Sequence, residues 1–83
     1  MTTVTVTGFL VDGMNYPGGD GTGWELQADD LGNEVDVEQV MAQASKLKHR
    51  VVTITGYYTT RGYIERGPTE VLIAEQIRLA SGQ

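Results

Sequence analysis

The stretch Val4-Thr5-Val6-Thr7-Gly8-Phe9-Leu10 returns, little changed, as Val52-Thr53-Ile54-Thr55-Gly56-Tyr57-Tyr58. Both alternate β-branched apolar and polar residues, the period-two pattern of a strand with one buried face. Each also carries an interior glycine. Glycine weakens a flat strand, but a small closed sheet needs sharp bends and bulges, where it is tolerated. Residues 3–11 and 51–58 therefore read as two strong, bent strands.

Between them, residues 12–23 hold five glycines and Pro17 and read as a long loop. Trp24-Glu25-Leu26-Gln27-Ala28-Asp29 alternates as a half-buried strand, Asp30-Leu31-Gly32-Asn33 is turn chemistry, and Glu34-Val35-Asp36-Val37 resumes the alternation. Together they predict a β-hairpin. The period then changes: Val37, Val40, Met41 and Ala44 fall on one helical face, with Leu47 beside it. A helix of about 11 residues is expected, Asp36 capping its first turn with Gln39 as capping-box partner, and basic residues at its end. After the 51–58 strand, residues 59–69 read as irregular because they contain Arg61-Gly62 and Gly67-Pro68. Residues 70–77 form a last strand, and Ser81-Gly82-Gln83 reads as frayed.

Three strands, a helix and two more strands in 83 residues is the element order of the oligonucleotide/oligosaccharide-binding (OB) fold, a five-stranded Greek-key barrel with one α-helix between strands 3 and 4. The first and fourth strands are neighbours there, so Gly8 and Gly56 are expected to bend both at one corner, with Leu26, Val35, Val37, Val52, Ile54, Val71 and Ile73 inside. The run Asp29-Asp30-Leu31-Gly32-Asn33-Glu34-Val35-Asp36-Val37, then a helix, then Val52-Thr53-Ile54-Thr55-Gly56, resembles small stand-alone bacterial OB-fold domains. Members of that group are mostly exported and lack obvious nucleic-acid residues. The resemblance implies a single OB domain over residues 1–83. The long glycine loop and the lack of a leader-like segment at Met1-Thr2-Thr3 set this chain apart and give a cytoplasmic expectation.

Composition narrows the function classes. With 40% hydrophobic and 20% charged residues the chain is globular, and without cysteine it has no disulfide, thiolate or cysteine-based zinc site. Its longest apolar run, Val71-Leu72-Ile73-Ala74, is far below the ~20 residues of a membrane helix, so no membrane partner is expected. The net charge is −5 and is unevenly spread: residues 1–45 hold eight acids and no base, while all six Lys and Arg lie at or after Lys46. Net acidity argues against a bulk nucleic-acid binder.

If Trp24, Leu26, Ala28, Val35 and Val37 point inward, then Glu25, Gln27, Asp29, Glu34 and Asp36 face outward on the strand pair that OB folds use for ligands. That face offers single strands repulsion instead of stacking and cations. Tyr57, Tyr58, Arg61, Tyr63 and Arg66 cluster instead around the strand 4–5 connection, where tyrosine and guanidinium could hold an anion or stack on a ring. Tyr58, Arg61, Tyr63 and Arg66 are the candidate ligand-binding residues, and the fold is not expected to need the side chains of Arg61, Tyr63 and Arg66. The Gly18–Gly23 loop lacks the Lys-Ser/Thr ending and the following helix of a phosphate cradle. Asp12, Asn15 and Asp20 do not match a calcium loop. Lys46, Lys48, His49 and Arg50 read as a helix-end charge complement. His49, the single histidine, has no evident acid–serine partner. The expectation is a non-enzymatic binding module for a protein or small polar ligand, with no cofactor or metal. Single-stranded nucleic-acid binding through the Tyr/Arg connection, or a self-assembling structural domain, are the alternatives.

Overall fold

The computed structural model describes residues 2–15, 21–28 and 31–80, Leu31 by its backbone alone. Its elements are β1 (Val4–Val11), β2 (Glu25–Ala28), β3 (Leu31–Asp36), a 3₁₀ turn (Glu38–Val40) continuing into α1 (Met41–Leu47), β4 (Val51–Tyr63) and β5 (Gly67–Leu79). The expectations at Gly18–Asp20, Asp29, Asp30 and Ser81–Gln83 lie outside the described residues.

The protein is mostly β, and the five strands form one sheet that closes on itself in the order β1-β2-β3-β5-β4. Every pairing is antiparallel except that of β3 with β5, which runs parallel over Glu34–Asp36 and Val71–Ile73. Alternation along each strand fills the interior with Leu10, Leu26, Val35, Val52, Ile54, Leu72 and Ala74, to which the helical segment adds Val40 and Ala44. No helix among the described residues is long and apolar enough to cross a membrane.

Five of the expected interior residues, Leu26, Val35, Val37, Val52 and Ile54, join this core. Val71 and Ile73 are also buried, at 0% and 7% exposure, but on the other side of the sheet. They alternate with the inward Leu72 and Ala74, so they face out.

The helix is shorter than its periodicity suggests. Asp36 is not its cap: the cap position is Val37, without a side-chain bond, and Asp36, one residue earlier, accepts the Glu38 amide at 2.9 Å. That turn is 3₁₀ and the α-helical part has seven residues. The strands β4 and β5 are longer than expected. Gly67, at φ +73°, takes the left-handed position that closes the Ile64–Arg66 turn. Pro68 follows inside β5, opposite Gly62. Glycine and proline therefore shape a tight turn here and do not break the strands.

The two interior glycines are not a shared corner. Gly8 pairs with Val52, whereas Gly56 pairs with Val4. A Cβ on Gly8 would come within 2.5 Å of the Gln27 carbonyl oxygen on β2, and one on Gly56 would overlap the Ile73 carbonyl oxygen on β5. Each lets its own strand approach a different neighbour, and at Gly56 the β4–β5 register shifts through a bulge. Gly56→Ala should therefore lower unfolding stability by about 2 kcal/mol or more, in the range of overpacked cores. Urea unfolding checks this, and an unchanged midpoint would show that the strands separate freely at the bulge.

Candidate functional site

Glu34 and Asp36 alternate with the inward Val35, so both stand on the outer face of β3. Their parallel partners on β5 are Val71 and Ile73, whose partners on β4 are Thr59 and Tyr57. This face has an acidic row, a buried apolar row and a row from β4, side by side. Further along β4, Arg61 and Tyr63 project from the same face and cross β5 diagonally. Arg61 Nη2 donates to Asp36 Oδ2, and the Tyr63 hydroxyl donates to Glu34 Oε2 at 2.8 Å. These crossing side chains account for the burial of Val71 and Ile73.

Glu34 is the most enclosed charge of the network, with its side chain 4% exposed. Its Oε1 accepts from Arg66 Nη1 at 2.7 Å, and its Oε2 accepts from the Thr22 amide at 2.9 Å as well as from Tyr63. The Arg66 guanidinium carbon lies 4.1 Å from the centre of the Tyr63 ring, a cation–π contact. Burial pushes the Glu34 carboxyl up. The hydrogen bonds from Arg66, Thr22 and Tyr63 outweigh it and hold the group below its ordinary value. Burial likewise pushes Asp36 up, and the Arg61 guanidinium and the Glu38 amide bring it below its own. Burial raises Tyr63, and so does its bond to the Glu34 carboxylate, which favours the neutral phenol that donates it.

The four candidate residues thus have two placements. Arg61, Tyr63 and Arg66 stand together on the outer face, bound to the carboxylates. Tyr58 points the other way, packs against the core, and donates its hydroxyl to Asn33 Oδ1 at 3.2 Å. Arg61, Tyr63 and Arg66 serve as internal partners, contrary to the expectation that the fold does not use them. Of the outward carboxylates, Glu34 and Asp36 are compensated, with the guanidiniums as counter-ions. At the helix end, Lys48 Nζ and His49 Nε2 reach Asp12 at 3.1 and 3.5 Å, so those bases close a surface turn.

Beside the Asp36–Arg61 pair opens a cleft of about 310 Å³. Trp24 and Met41 give it apolar walls, while Thr22, Asp36, Glu38 and Arg61 give it polar ones. Met41 is 46% exposed although it follows the apolar helical period. Trp24 does pack against the core, whereas Met41, on the apolar helical face, does not join it, and the cleft that the two wall is missed by the sequence reading. The available signal was that Trp24 adjoins the glycine loop, where a strand end leaves a large ring only half covered. No family model, curated protein or solved structure matches the chain.

Two outcomes are expected. Arg66→Ala leaves Glu34 enclosed without its counter-ion and should cost about 2–3 kcal/mol in urea unfolding. A loss near that of an ordinary surface change would show that water replaces the guanidinium. The acid response has a definite sign. Glu34 and Asp36 titrate below their ordinary values of 4.5 and 3.8, so on acidification the unfolded chain takes up protons first. Their contribution is fully present above the ordinary values and is lost as pH falls through the folded ones. Thermal melts should be level down to about pH 5 and fall below it, less steeply in Glu34→Gln.

Proposed function

We propose that the chain is an OB-fold binding module, without catalytic function, that holds a small polar ligand or a polar side chain of a protein partner in the Trp24–Met41–Arg61 cleft. The OB reading is supported by the strand order and by the single parallel closure between β3 and β5. The binding reading rests on one observation, the cleft itself: an aromatic and a thioether wall facing a carboxylate–guanidinium pair. Ligand sites combine apolar walls with a few placed polar groups in this way. Asp36 and Arg61 can each give one bond to a ligand carrying both donor and acceptor, so a zwitterionic or amide-bearing group suits the site. Recognition is then centred on Arg61, with Tyr63, Arg66 and Tyr58 holding the surrounding sheet.

Nucleic-acid binding ranks lower because the Tyr/Arg group is tied to Glu34 and Asp36, and a phosphate would have to compete with both carboxylates. No oligonucleotide affinity tighter than roughly 10⁻⁴ M near physiological salt is expected in fluorescence anisotropy. Micromolar, salt-sensitive binding would reverse the ranking.

Trp24 is the single tryptophan and lines the cleft, so its emission reports occupancy directly. Titration with free amino acids, short amidated peptides and sugars should give a saturable change for at least one class. Met41→Gln alters the wall at an exposed position and should weaken that binding while leaving the melt within ~0.5 kcal/mol of wild type. A flat response to every class, or equal binding by the variant, would count against the cleft.

A further inference from the structure

β1 covers only half of β4. Its residues Val4–Phe9 pair with Val51–Gly56, and no described strand pairs with that edge of β4 beyond Gly56. The seven residues Tyr57-Tyr58-Thr59-Thr60-Arg61-Gly62-Tyr63 are therefore paired on the β5 side alone, among the described residues. Open edges in natural proteins are commonly blunted by lysine or proline. This one has neither, and its single charge, Arg61, is turned onto Asp36. The composition is aromatic and β-branched, which suits a further strand.

Pro68 reveals which backbone groups face the open edge. A proline inside a strand has its nitrogen directed away from the ladder, so the Gly62–Pro68 pair exchanges no hydrogen bonds. In an antiparallel ladder such pairs alternate with bonded ones. Tyr58, Thr60 and Gly62 accordingly turn their N–H and C=O groups to the open side, while Thr59, Arg61 and Tyr63 bond to β5.

We propose that this edge pairs with the same edge of a second copy of the chain, antiparallel about a two-fold axis at Thr60. The occupant is argued from self-complementarity. In that register the outward-facing groups meet as Thr60 with Thr60 and Tyr58 with Gly62, each a bonded pair, and Gly62 has no side chain to displace Tyr58 from its own core. On the other face Tyr57 comes opposite Tyr63, whose ring stays over β5 on Glu34 and Arg66 and so leaves room for the Tyr57 ring. The open segment matches its own length, and the partner's strand would end where Val4 already fills the ladder. Ile64, at 101% exposure the most exposed large hydrophobe described, then comes to lie beside Val4 of the other copy. One arrangement thus covers the open edge and the bare isoleucine together, independently of what the cleft binds. Seven residues on each side make a small interface, so association in the micromolar range or weaker is expected.

The test is sedimentation equilibrium of the full chain from about 10 μM to about 1 mM. Wild type should shift from monomer to dimer across that range. Thr60→Pro removes an N–H that faces the open edge and not β5, so this variant should remain monomeric with a native far-UV spectrum. Ile64→Ser cannot disturb the monomer, being fully exposed, and should weaken dimerisation on the order of a hundredfold, because the two-fold axis removes one such side chain from each copy. Wild type that is monomeric throughout, or a dimer that both variants leave intact, overturns the proposal and assigns the edge to some other extended strand or the contact to another face.

Discussion

Closure of the sheet depends on the short parallel pairing of β3 with β5. The other four pairings are antiparallel, and three of them join strands adjacent in sequence, β1 to β2, β2 to β3 and β4 to β5, while the fourth joins β1 to β4. Without the Glu34–Val71, Val35–Leu72 and Asp36–Ile73 partnership the five strands would form one open sheet, with β3 and β5 as its bare edges. This pairing sets an acidic row directly beside the apolar outer row of β5, within reach of the long side chains of β4. The carboxylate–guanidinium network, the burial of Val71 and Ile73, and the wall of the cleft at Asp36 and Arg61 all follow from it.

Local pattern carries much of this fold on the face of the sequence. Period-two alternation identifies β1, the β2–β3 hairpin and the first half of β4, and the change of period at Val37 identifies the helical segment. These elements satisfy local preference and burial together, so nothing hides them. The misread parts are those in which a residue type serves a non-local purpose. Gly62, Gly67 and Pro68 look like breakers, but they sit in a long hairpin whose turn needs a positive φ, and Pro68 lies in β5 before its pairing with β3 begins, where a missing N–H is tolerated. Gly8 and Gly56 look like a matched pair, but each answers to a different neighbouring strand.

The candidate site was legible as an inventory and not as an arrangement. Arg61, Tyr63 and Arg66 were visible as a cluster, and Glu34 and Asp36 as an outward row. That the two neutralise each other depends on β5 lying between β3 and β4, so that groups 25 to 32 residues apart meet. Alternation fixes the face on which a side chain stands, but not which side chains cross that face. Met41 shows the same limit: its helical spacing is that of a core residue, yet the core at that level is already filled by Val37, Val40 and Ala44.

The position of β5 also bears on the birth of the protein on the ribosome. β5 is the last of the five strands to be synthesised, yet it sits between two strands made before it. Until it emerges, β3 has a bare edge, and Arg61 and Arg66, made just before it, have no strand across which to reach Asp36 and Glu34. Before Lys46 the chain carries no lysine or arginine at all. The emerging first half is a polyanion whose self-repulsion opposes early collapse and keeps neighbouring nascent chains apart. The arrival of the basic second half removes that repulsion at the stage when the ring can close.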